Sequence, residues 1–217
     1  RDTALEISAF LEDIFREPDP GNARGASITA REILEKGAGR IRNQLGDRPA
    51  IQATLMSTIG RVYYNLGEFD SSVELLEEAL RLRRDVLRDQ EGGVAVTKNE
   101  LAVSLTRKAE YDRALTLLNE AINENRSEKG EQNPELASNY YNIAEVYQSI
   151  GEAENAEHNA RASISMFSAL GRGKFAMEIA EGKSLLARVV QRRNALDEAE
   201  VLLRDAIELI EKNFGND

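Results

Sequence analysis

The 217-residue sequence contains no cysteine, no tryptophan and a single histidine, and these absences exclude several kinds of site. Without cysteine there are no disulfides, no thiolate nucleophile and no cysteine-based zinc or iron–sulfur centre. His158 alone would leave a zinc ion without a second strong ligand. The segment Gly171-Arg172-Gly173-Lys174 lacks the spacing of a phosphate-binding loop, and we expect it to link two helices. We therefore expect no catalytic residue, no metal site and no cofactor.

Basic residues are also scarce relative to acidic ones. Lysine and arginine number 28 against 38 aspartate and glutamate, a net charge of −10, which argues against a nucleic-acid partner. The apolar runs are only a few residues long, so we expect no membrane insertion by this stretch. With 41% hydrophobic and 30% charged residues, the composition is typical of a folded domain. Because the first residue is Arg1 rather than methionine, we expect the sequence to be a piece of a longer protein.

An internal repeat runs through the sequence after residue 50. A small residue follows a large aliphatic one at four corresponding places: Gly60, Ala102, Ala144 and Ala187. These places are 42, 42 and 43 residues apart. Each copy predicts two helices joined by a short turn, and Gly67 and Gly151 suit turn positions of positive φ. Such repetition indicates stacked supersecondary units.

The second helix of each predicted pair carries small residues seven positions apart. Ala114 and Ala121 are one such pair, and this spacing returns both to the face that contacts a neighbouring helix. The spacing of Ser71 to Glu74 and of Asp197 to Glu200 predicts capping boxes at the start of two second helices.

These residues resemble the tetratricopeptide repeat, whose signature is a small residue in the first helix and two small residues in the second. The likeness covers roughly residues 53–213. Since the usual spacing is about 34 residues, the longer repeat resembles the kinesin light-chain type, as does the segment Asn133-Pro134-Glu135. The resemblance implies an all-α, right-handed superhelical solenoid of antiparallel helix pairs, about ten helices in all. We expect four repeats, at about 53–94, 95–136, 137–179 and 180–217, in one continuous solenoid.

Residues 1–50 predict a leading helical pair that is a degenerate repeat. Two capping-box spacings support it, Thr3 to Glu6 and Thr29 to Glu32, with a long polar loop at 17–25 between the helices. The segments Phe10-Leu11, Asp19-Pro20, Ala23-Arg24-Gly25, Thr29 to Leu34 and Met56 to Tyr63 resemble the C-terminal repeat region of bacterial eukaryotic-like serine/threonine kinases.

That second resemblance implies a particular setting. In such proteins a cytoplasmic kinase is followed by a membrane-spanning helix and then by the repeats, which lie on the extracytoplasmic (periplasmic) side. No kinase motif is present in this sequence, so the resemblance implies a non-catalytic sensor or docking region whose parent is the kinase. The alternatives are a cytoplasmic repeat scaffold and the repeat domain of a transcription regulator.

A repeat solenoid offers a concave surface lined by its first helices. The repeat register assigns a common set of residues to that surface: Arg61, Tyr64, Asn65, Asn99, Arg107, Tyr141, Asn142, Arg188 and Arg192. Amide side chains pair with a peptide backbone, and tyrosine and arginine serve as anchors. The recurrent arginines predict a locally positive groove that binds a protein or peptide segment, acidic or carboxylate-bearing. The alternative is that these residues are solvated and bind nothing.

Overall fold

The computed structural model describes residues 7–10, 12, 29–88 and 93–215. Every regular element in this part of the chain is helical, which confirms the expected all-α fold. The helices are α1 (Ala30–Gln44), α2 (Pro49–Asn65), α3 (Phe69–Arg81), α4 (Val94–Arg107), α5 (Tyr111–Lys129), α6 (Pro134–Ile150), α7 (Ala153–Gly171), α8 (Ala176–Arg192) and α9 (Leu196–Phe214). A short π-helical turn, Leu82–Val86, follows α3 directly.

The chain divides into two compact units, unit 1 (Arg1–Ser104) and unit 2 (Leu105–Asp217), and the boundary falls inside α4. In unit 1, α1 packs on α2 and α2 packs on α3. Their shared core includes the fully buried side chains of Ile41, Leu55 and Leu75. Each such side chain contributes about 1.5–3 kcal/mol through burial, so this cluster holds the three helices together.

In unit 2, each helix from α5 to α9 packs against the next one along the chain. One buried cluster contains Ala160 of α7 with Leu185 and Leu186 of α8. A second contains Phe167 with Phe175 and Ile179, and the two phenyl rings lie 5.2 Å apart. Contacts are therefore made between neighbours in sequence, as expected of stacked helix pairs.

The turns between paired helices repeat the same backbone conformation. Gly67 and Gly151 have φ of +79° and +97°, as the sequence predicts, and Ala109 and Asn194 occupy the equivalent turns with φ of +59° and +62°. In the Ala109 turn, the Glu110 amide donates to the carbonyl of Leu105 at 3.0 Å, the pattern of a left-handed helix C-cap. Two non-glycine residues thus adopt a conformation that normally favours glycine.

The predicted small residues lie at close helix contacts. Gly60, Ala102, Ala144 and Ala187 are all buried, and a Cβ atom at Gly60 would lie 2.9 Å from Cγ of Leu76 on α3. Ala114 and Ala121 have no exposed surface. The register read from the sequence therefore identifies the contact positions in these pairs.

Two of the predicted capping boxes are wrong. Helix α3 begins at Phe69 and α9 begins at Leu196, so Ser71 and Asp197 already lie inside helices, and neither helix has a side-chain cap. The turns preceding these helices are so short that the chain becomes helical before it reaches either residue. By contrast, Thr29 and Glu32 form a complete capping box at the start of α1.

Much of the first predicted helix and the polar loop at 17–25 lies outside the described residues, and so does the capping box at Thr3. Within the described part, residues 7–10 and 12 are helical, and Ile7 and Phe10 pack against the core of unit 1. The guanidinium carbon of Arg40 on α1 lies 5.6 Å from the centre of the Phe10 ring, a cation–π arrangement.

Asn133 and Pro134 start helix α6. The Asn133 side chain accepts a hydrogen bond from the Leu136 amide at 2.8 Å and donates one to the Gly130 carbonyl, also at 2.8 Å. Pro134 occupies the first helical position, where its fixed φ suits the helix and its missing N–H costs nothing. This pair therefore fixes both the end of the α5–α6 turn and the start of the helix.

Among the described residues, no helix is long and apolar enough to cross a membrane. The same part of the chain holds no group of three metal-ligating side chains placed to bind an ion. The Gly171–Lys174 segment forms the turn that connects α7 to α8, as the sequence predicts.

Candidate functional site

Unit 1 contains a groove of about 400 Å³ between α2, α3 and α4. All four unit-1 residues that the repeat register assigns to a binding surface line it: Arg61, Tyr64, Asn65 and Asn99. The remaining lining consists of Thr58, Val62, Leu76, Glu100, Val103 and Ser104. The groove thus has an apolar floor of valine and leucine side chains beneath a polar rim.

Helical spacing brings these side chains together. Arg61, Tyr64 and Asn65 stand three and four residues apart on α2, and so share one face of that helix. On α4, Asn99 and Val103 are four residues apart and face the same groove. Because Gly60 lets α3 approach α2 closely, Leu76 reaches the floor. The groove is therefore a product of the helix-pair packing and not of a loop.

Glu100 is the one acidic side chain among the described residues that line the groove, and sequence reasoning missed it. Its side chain is 16% exposed, and its Oε1 lies 3.6 Å from Nε of Arg61. Its buried Oε2 has no hydrogen-bond partner among the residues that the structure describes. Burial raises the pKa of the Glu100 carboxyl, and the charges of Arg61 and Arg83 only partly oppose that shift. The sequence did contain a sign of Glu100's special position, since it is the single acidic residue of α4.

Arg61 keeps most of its guanidinium in solvent. Its side chain is 61% exposed, and 3.6 Å is too long for a hydrogen bond to Glu100. The attraction between the two charges is therefore weak and exchangeable. Such an arginine can offer its fork of N–H donors to a carboxylate that enters the groove.

The remaining polar groups of the groove are held in place. Ser104 makes a 2.8 Å hydrogen bond to the Ser72 hydroxyl, and both are buried. The Tyr64 ring centre lies 5.7 Å from the Phe69 ring centre at a tilt of 56°, so the half-buried Tyr64 ring packs against a second aromatic ring. A supported aromatic ring loses little conformational entropy when a ligand packs against it.

In unit 2, Tyr141 of α6 is the centre of a second cluster. Burial and the charges of Glu145 and Glu181 raise the pKa of Tyr141 to about 12, while Arg188 and Arg107 act in the opposite direction. The charges of Arg107 and Arg188, two other residues of the predicted surface, thus act on the Tyr141 hydroxyl, and their forming one binding surface stays a prediction. Glu145 and Glu181, two acids that the sequence reasoning did not include, act on the same hydroxyl.

The other two unit-2 residues are placed differently. Arg192 of α8 donates a hydrogen bond to the Gln148 carbonyl at 2.8 Å, near the C-terminal end of α6. Part of its donor capacity is therefore used within the fold. Asn142 lies half-buried beside Tyr141 on α6. Tyr141 itself also packs against the α7–α8 core, so its ring is only partly available.

The chemistry of these surfaces is that of noncovalent recognition. They combine amides, aromatic rings and arginines over an apolar floor, and these groups bind extended chains through backbone hydrogen bonds and anchors. Acids interleave with the arginines in both units, so the surfaces are of mixed charge.

Tandem pairs of packed helices with a recurring turn and recurring small residues define a helical-repeat protein. Tetratricopeptide-repeat family models match residues 52–89, 93–169 and 182–217, which together make up more than half of the sequence. The chain therefore belongs to the tetratricopeptide-repeat family. Proteins built from this repeat generally mediate protein–protein interaction.

Solved structures share the fold. BtubC (BKLC) from P. vanneervenii superposes with a TM-score of 0.74 at 20% identity, over 99% of this chain and 85% of that one. A putative kinesin light chain with nearly identical repeats from Podosopora anserina gives 0.68 at 19% identity, over 95% of each chain. MamA 41-end from Desulfovibrio magneticus RS-1 gives 0.62 at 13% identity, over 99% and 98%. At these identities the likeness concerns the fold alone.

Among curated proteins, the sequence matches human tetratricopeptide repeat protein 16 at 24% identity over 125 residues. That match covers 56% of this chain and 14% of the human protein. The Macaca fascicularis protein of the same name is 32% identical over 75 residues, which is 33% of this chain and 9% of that protein. The chain thus corresponds to a small part of the curated relatives it matches.

Proposed function

We propose that this chain is a non-catalytic interaction region that binds an extended peptide or protein segment through the grooves lined by its first helices. The observation that carries this proposal is the unit-1 groove, because four residues selected by repeat register and residue type line one cavity of about 400 Å³. In unit 2, the cluster around Tyr141, with Arg107 and Arg188, offers the same residue types.

Each groove residue has a role in this proposal. Asn65 and Asn99 hydrogen-bond the ligand backbone, since an amide side chain both donates and accepts. Tyr64 and the apolar floor take an aliphatic or aromatic side chain. Arg61 binds a carboxylate of the ligand through its exposed guanidinium. The ligand is accordingly a segment that carries at least one acidic residue.

Glu100 reduces this preference for an acidic ligand. Its carboxylate competes with the ligand for Arg61 across 3.6 Å. Removing the competing charge by Glu100→Gln therefore strengthens binding of an acidic segment, whereas Arg61→Ala weakens it. Because the Arg61 guanidinium lies at the solvent-exposed rim, affinity is modest and falls with added salt.

The test uses a displayed library of random peptides panned against the full chain, followed by titration of an enriched peptide against variants. Arg61→Ala is expected to weaken binding about tenfold, equivalent to about 1.4 kcal/mol. The matched control is Arg84→Ala, because Arg84 is 63% exposed against 61% for Arg61 and does not line the groove. Enrichment of acidic residues, with weaker binding to Arg61→Ala and tighter binding to Glu100→Gln, supports the proposal.

Two results would refute it. One is a peptide pool that binds Arg61→Ala and Tyr64→Ala as tightly as the parent. The other is a peptide pool that is not enriched in acidic residues and whose affinity does not change with salt concentration.

We propose that the whole protein is a membrane-spanning serine/threonine kinase and that this chain is its sensor or docking region, on the extracytoplasmic side of the membrane. This rests on the sequence resemblance of residues 10–34 and 56–63. The second possibility is a cytoplasmic scaffold or a transcription regulator's repeat domain. Reading the coding sequence upstream of Arg1 tests this directly, since the kinase parent requires a hydrophobic run of about 20 residues preceded by kinase motifs.

A further inference from the structure

Buried polar side chains lie beside the unit-1 groove, and two of them, Ser57 and Arg83, have no part in the proposed function. Three atoms there are buried and have no hydrogen-bond partner among the described residues: Oγ of Ser57 on α2, Nε of Arg83 in the π-helical turn and Oε2 of Glu100 on α4. The side chain of Glu100 is 16% exposed, and Ser57 is 7% exposed. A buried polar atom without a partner destabilises a fold, so each of these three calls for an explanation.

The π-helical turn holds Arg83 between α2 and the start of α4. This turn, Leu82–Val86, packs against α2. Nη2 of Arg83 donates to Oγ1 of Thr54 on α2 at 3.4 Å, and a Cβ atom on Gly93, the residue before α4, would collide with Nη1 of Arg83. The guanidinium is therefore confined on two sides, although its hydrogen bond to Thr54 is longer than usual. Single π-helical turns occur frequently at functional sites.

One face of α2 connects Arg83 with Arg61 and Glu100. Thr54, Ser57 and Arg61 are three and four residues apart on α2 and share that face. Arg83 contacts the face at Thr54, Glu100 approaches it at Arg61 two helical turns further along, and Ser57 lies between these contacts. Because helical side chains lean towards the N-terminus of their helix, that of Glu100 leans towards the end of α4 at which Arg83 lies. Both arginines accordingly oppose the rise in the pKa of Glu100 that burial causes.

A ligand carboxylate at Arg61 changes the balance between the two arginines. The ligand charge offsets the charge of Arg61, so the attraction that draws Glu100 towards Arg61 weakens. The two carboxylates also repel each other, which favours movement of Glu100 away from the ligand. Among the described residues, Arg83 is the other cation that acts on Glu100, and its Nε–H has no acceptor there.

We propose that Arg83 is a positioning residue of the unit-1 groove, which draws the Glu100 carboxylate away from Arg61 when an acidic ligand binds and thereby favours acidic over neutral segments. Glu100 exchanges its 3.6 Å contact with Arg61 for a hydrogen bond from Nε of Arg83. The Ser57 hydroxyl, which lies between the two contacts, can donate to the same carboxylate. This inference rests on the proposed function of the groove and adds to it a residue that does not touch the ligand.

The test compares two fluorescein-labelled peptides by fluorescence polarisation with the full chain. The acidic probe is a peptide enriched in the panning described above, and the neutral probe carries the corresponding amide at each acidic position. Arg83→Gln should weaken binding of the acidic probe about threefold to tenfold, since Glu100 then stays at Arg61. It should change binding of the neutral probe by less than about twofold.

Two further variants separate charge from structure. Arg84→Gln is the matched control, because it removes the same charge from the same π-helical turn, and Arg84 is 63% exposed and pairs with Asp85 at 2.8 Å. It should change binding of the acidic probe by less than about twofold. Arg83→Lys keeps the charge and should keep the preference for the acidic probe. If Arg83→Lys loses that preference as Arg83→Gln does, the charge is not the cause and the proposal is wrong.

Coupling between Arg83 and Glu100 is the decisive measurement. In a Glu100→Gln background, Arg83→Gln should no longer affect the acidic probe, because no competing carboxylate remains. A loss that persists in that background would mean that Arg83 attracts the peptide directly, and this would overturn the proposal. Equal losses for the acidic and neutral probes would also overturn it, because they would reflect a general change in the groove.

Arg61→Ala distinguishes failure of this inference from failure of the groove proposal. If Arg61→Ala binds the acidic probe as tightly as the parent, the groove proposal itself is wrong. If Arg61→Ala weakens that binding whereas Arg83→Gln does not, the groove proposal stands and the assignment of Arg83 is wrong.

Discussion

The turn residue Ala109 offers a direct measure of how strongly the repeat imposes its backbone conformation. Its φ is +59°, a region that L-residues other than glycine, asparagine and aspartate rarely adopt. The equivalent residues of two other turns are Gly67 and Gly151. Ala109 is exposed, and its amide donates to the Thr106 carbonyl at 3.1 Å, so the conformation is fixed by the turn and not by side-chain packing.

The substitution Ala109→Gly should stabilise the protein. An alanine in the left-handed region costs about 1–2 kcal/mol, and glycine removes that cost. Glycine also adds unfolded-state entropy, which takes back about 0.5–1 kcal/mol. The expected net gain in the free energy of unfolding is about 0.5–1 kcal/mol, or a rise in Tm of about 1–4 °C.

Two further variants are compared with Ala109→Gly. The unfolding of all three is followed by far-ultraviolet circular dichroism in urea and on heating. Ala169→Gly makes the same chemical change at an exposed position inside α7, where it should cost about 0.5–1 kcal/mol. Gly151→Ala is the reverse change at φ +97°, and a Cβ there would meet no atom within 4 Å, so any loss reports the backbone alone. It should cost more than about 1 kcal/mol.

The decisive comparison is between Ala109→Gly and Ala169→Gly. We expect the two substitutions to change the free energy of unfolding in opposite directions, because the two sites differ in φ although the side chain changes in the same way. If both variants lose stability equally, the Ala109 turn stores no strain and the reasoning fails.

Three further predictions concern buried groups. Ser163→Ala should raise the free energy of unfolding by about 1 kcal/mol, since the buried Ser163 hydroxyl has no hydrogen-bond partner in the described part of the chain. Ser104→Ala should lower it, because the Ser104 hydroxyl is paired with Ser72, and urea unfolding compares the two variants. Glu100→Gln should stabilise the fold at neutral pH, because the raised pKa of Glu100 means that its ionisation opposes folding, and the gain should vanish as pH falls below the usual glutamate range. The substitution Glu135→Gln should instead destabilise the fold at neutral pH, because Lys129 lowers the pKa of Glu135. A gain for Glu100→Gln that is the same at every pH would contradict this reasoning. Ala114→Leu should overpack a fully buried contact and cost about 1–3 kcal/mol, so an unchanged melting curve would show the register to be misplaced.

The sequence by itself determined the repeat, its register and the residues at the close helix contacts. This was possible because each pair of helices repeats the same nearest-neighbour packing, and packing between neighbours leaves a period in the sequence. The small residues Gly60 and Ala114 follow from that period, as do four of the ten residues that line the unit-1 groove. Helical geometry then places residues three, four and seven apart on one face without further information.

The tertiary structure alone decided the features that depend on how the helices around a residue are arranged. Ala109 gives no local sign of a left-handed turn, because the conformation is imposed by the two helices it joins. Glu100 is an ordinary helical acid until the α2–α4 groove buries its carboxylate. Ile207 reads as one more core position of the repeat, and only the structure shows that no helix among the described residues covers it. For Glu100 and Ile207, helical spacing predicts the face on which the residue lies, whereas its exposure depends on neighbours that lie far along the chain.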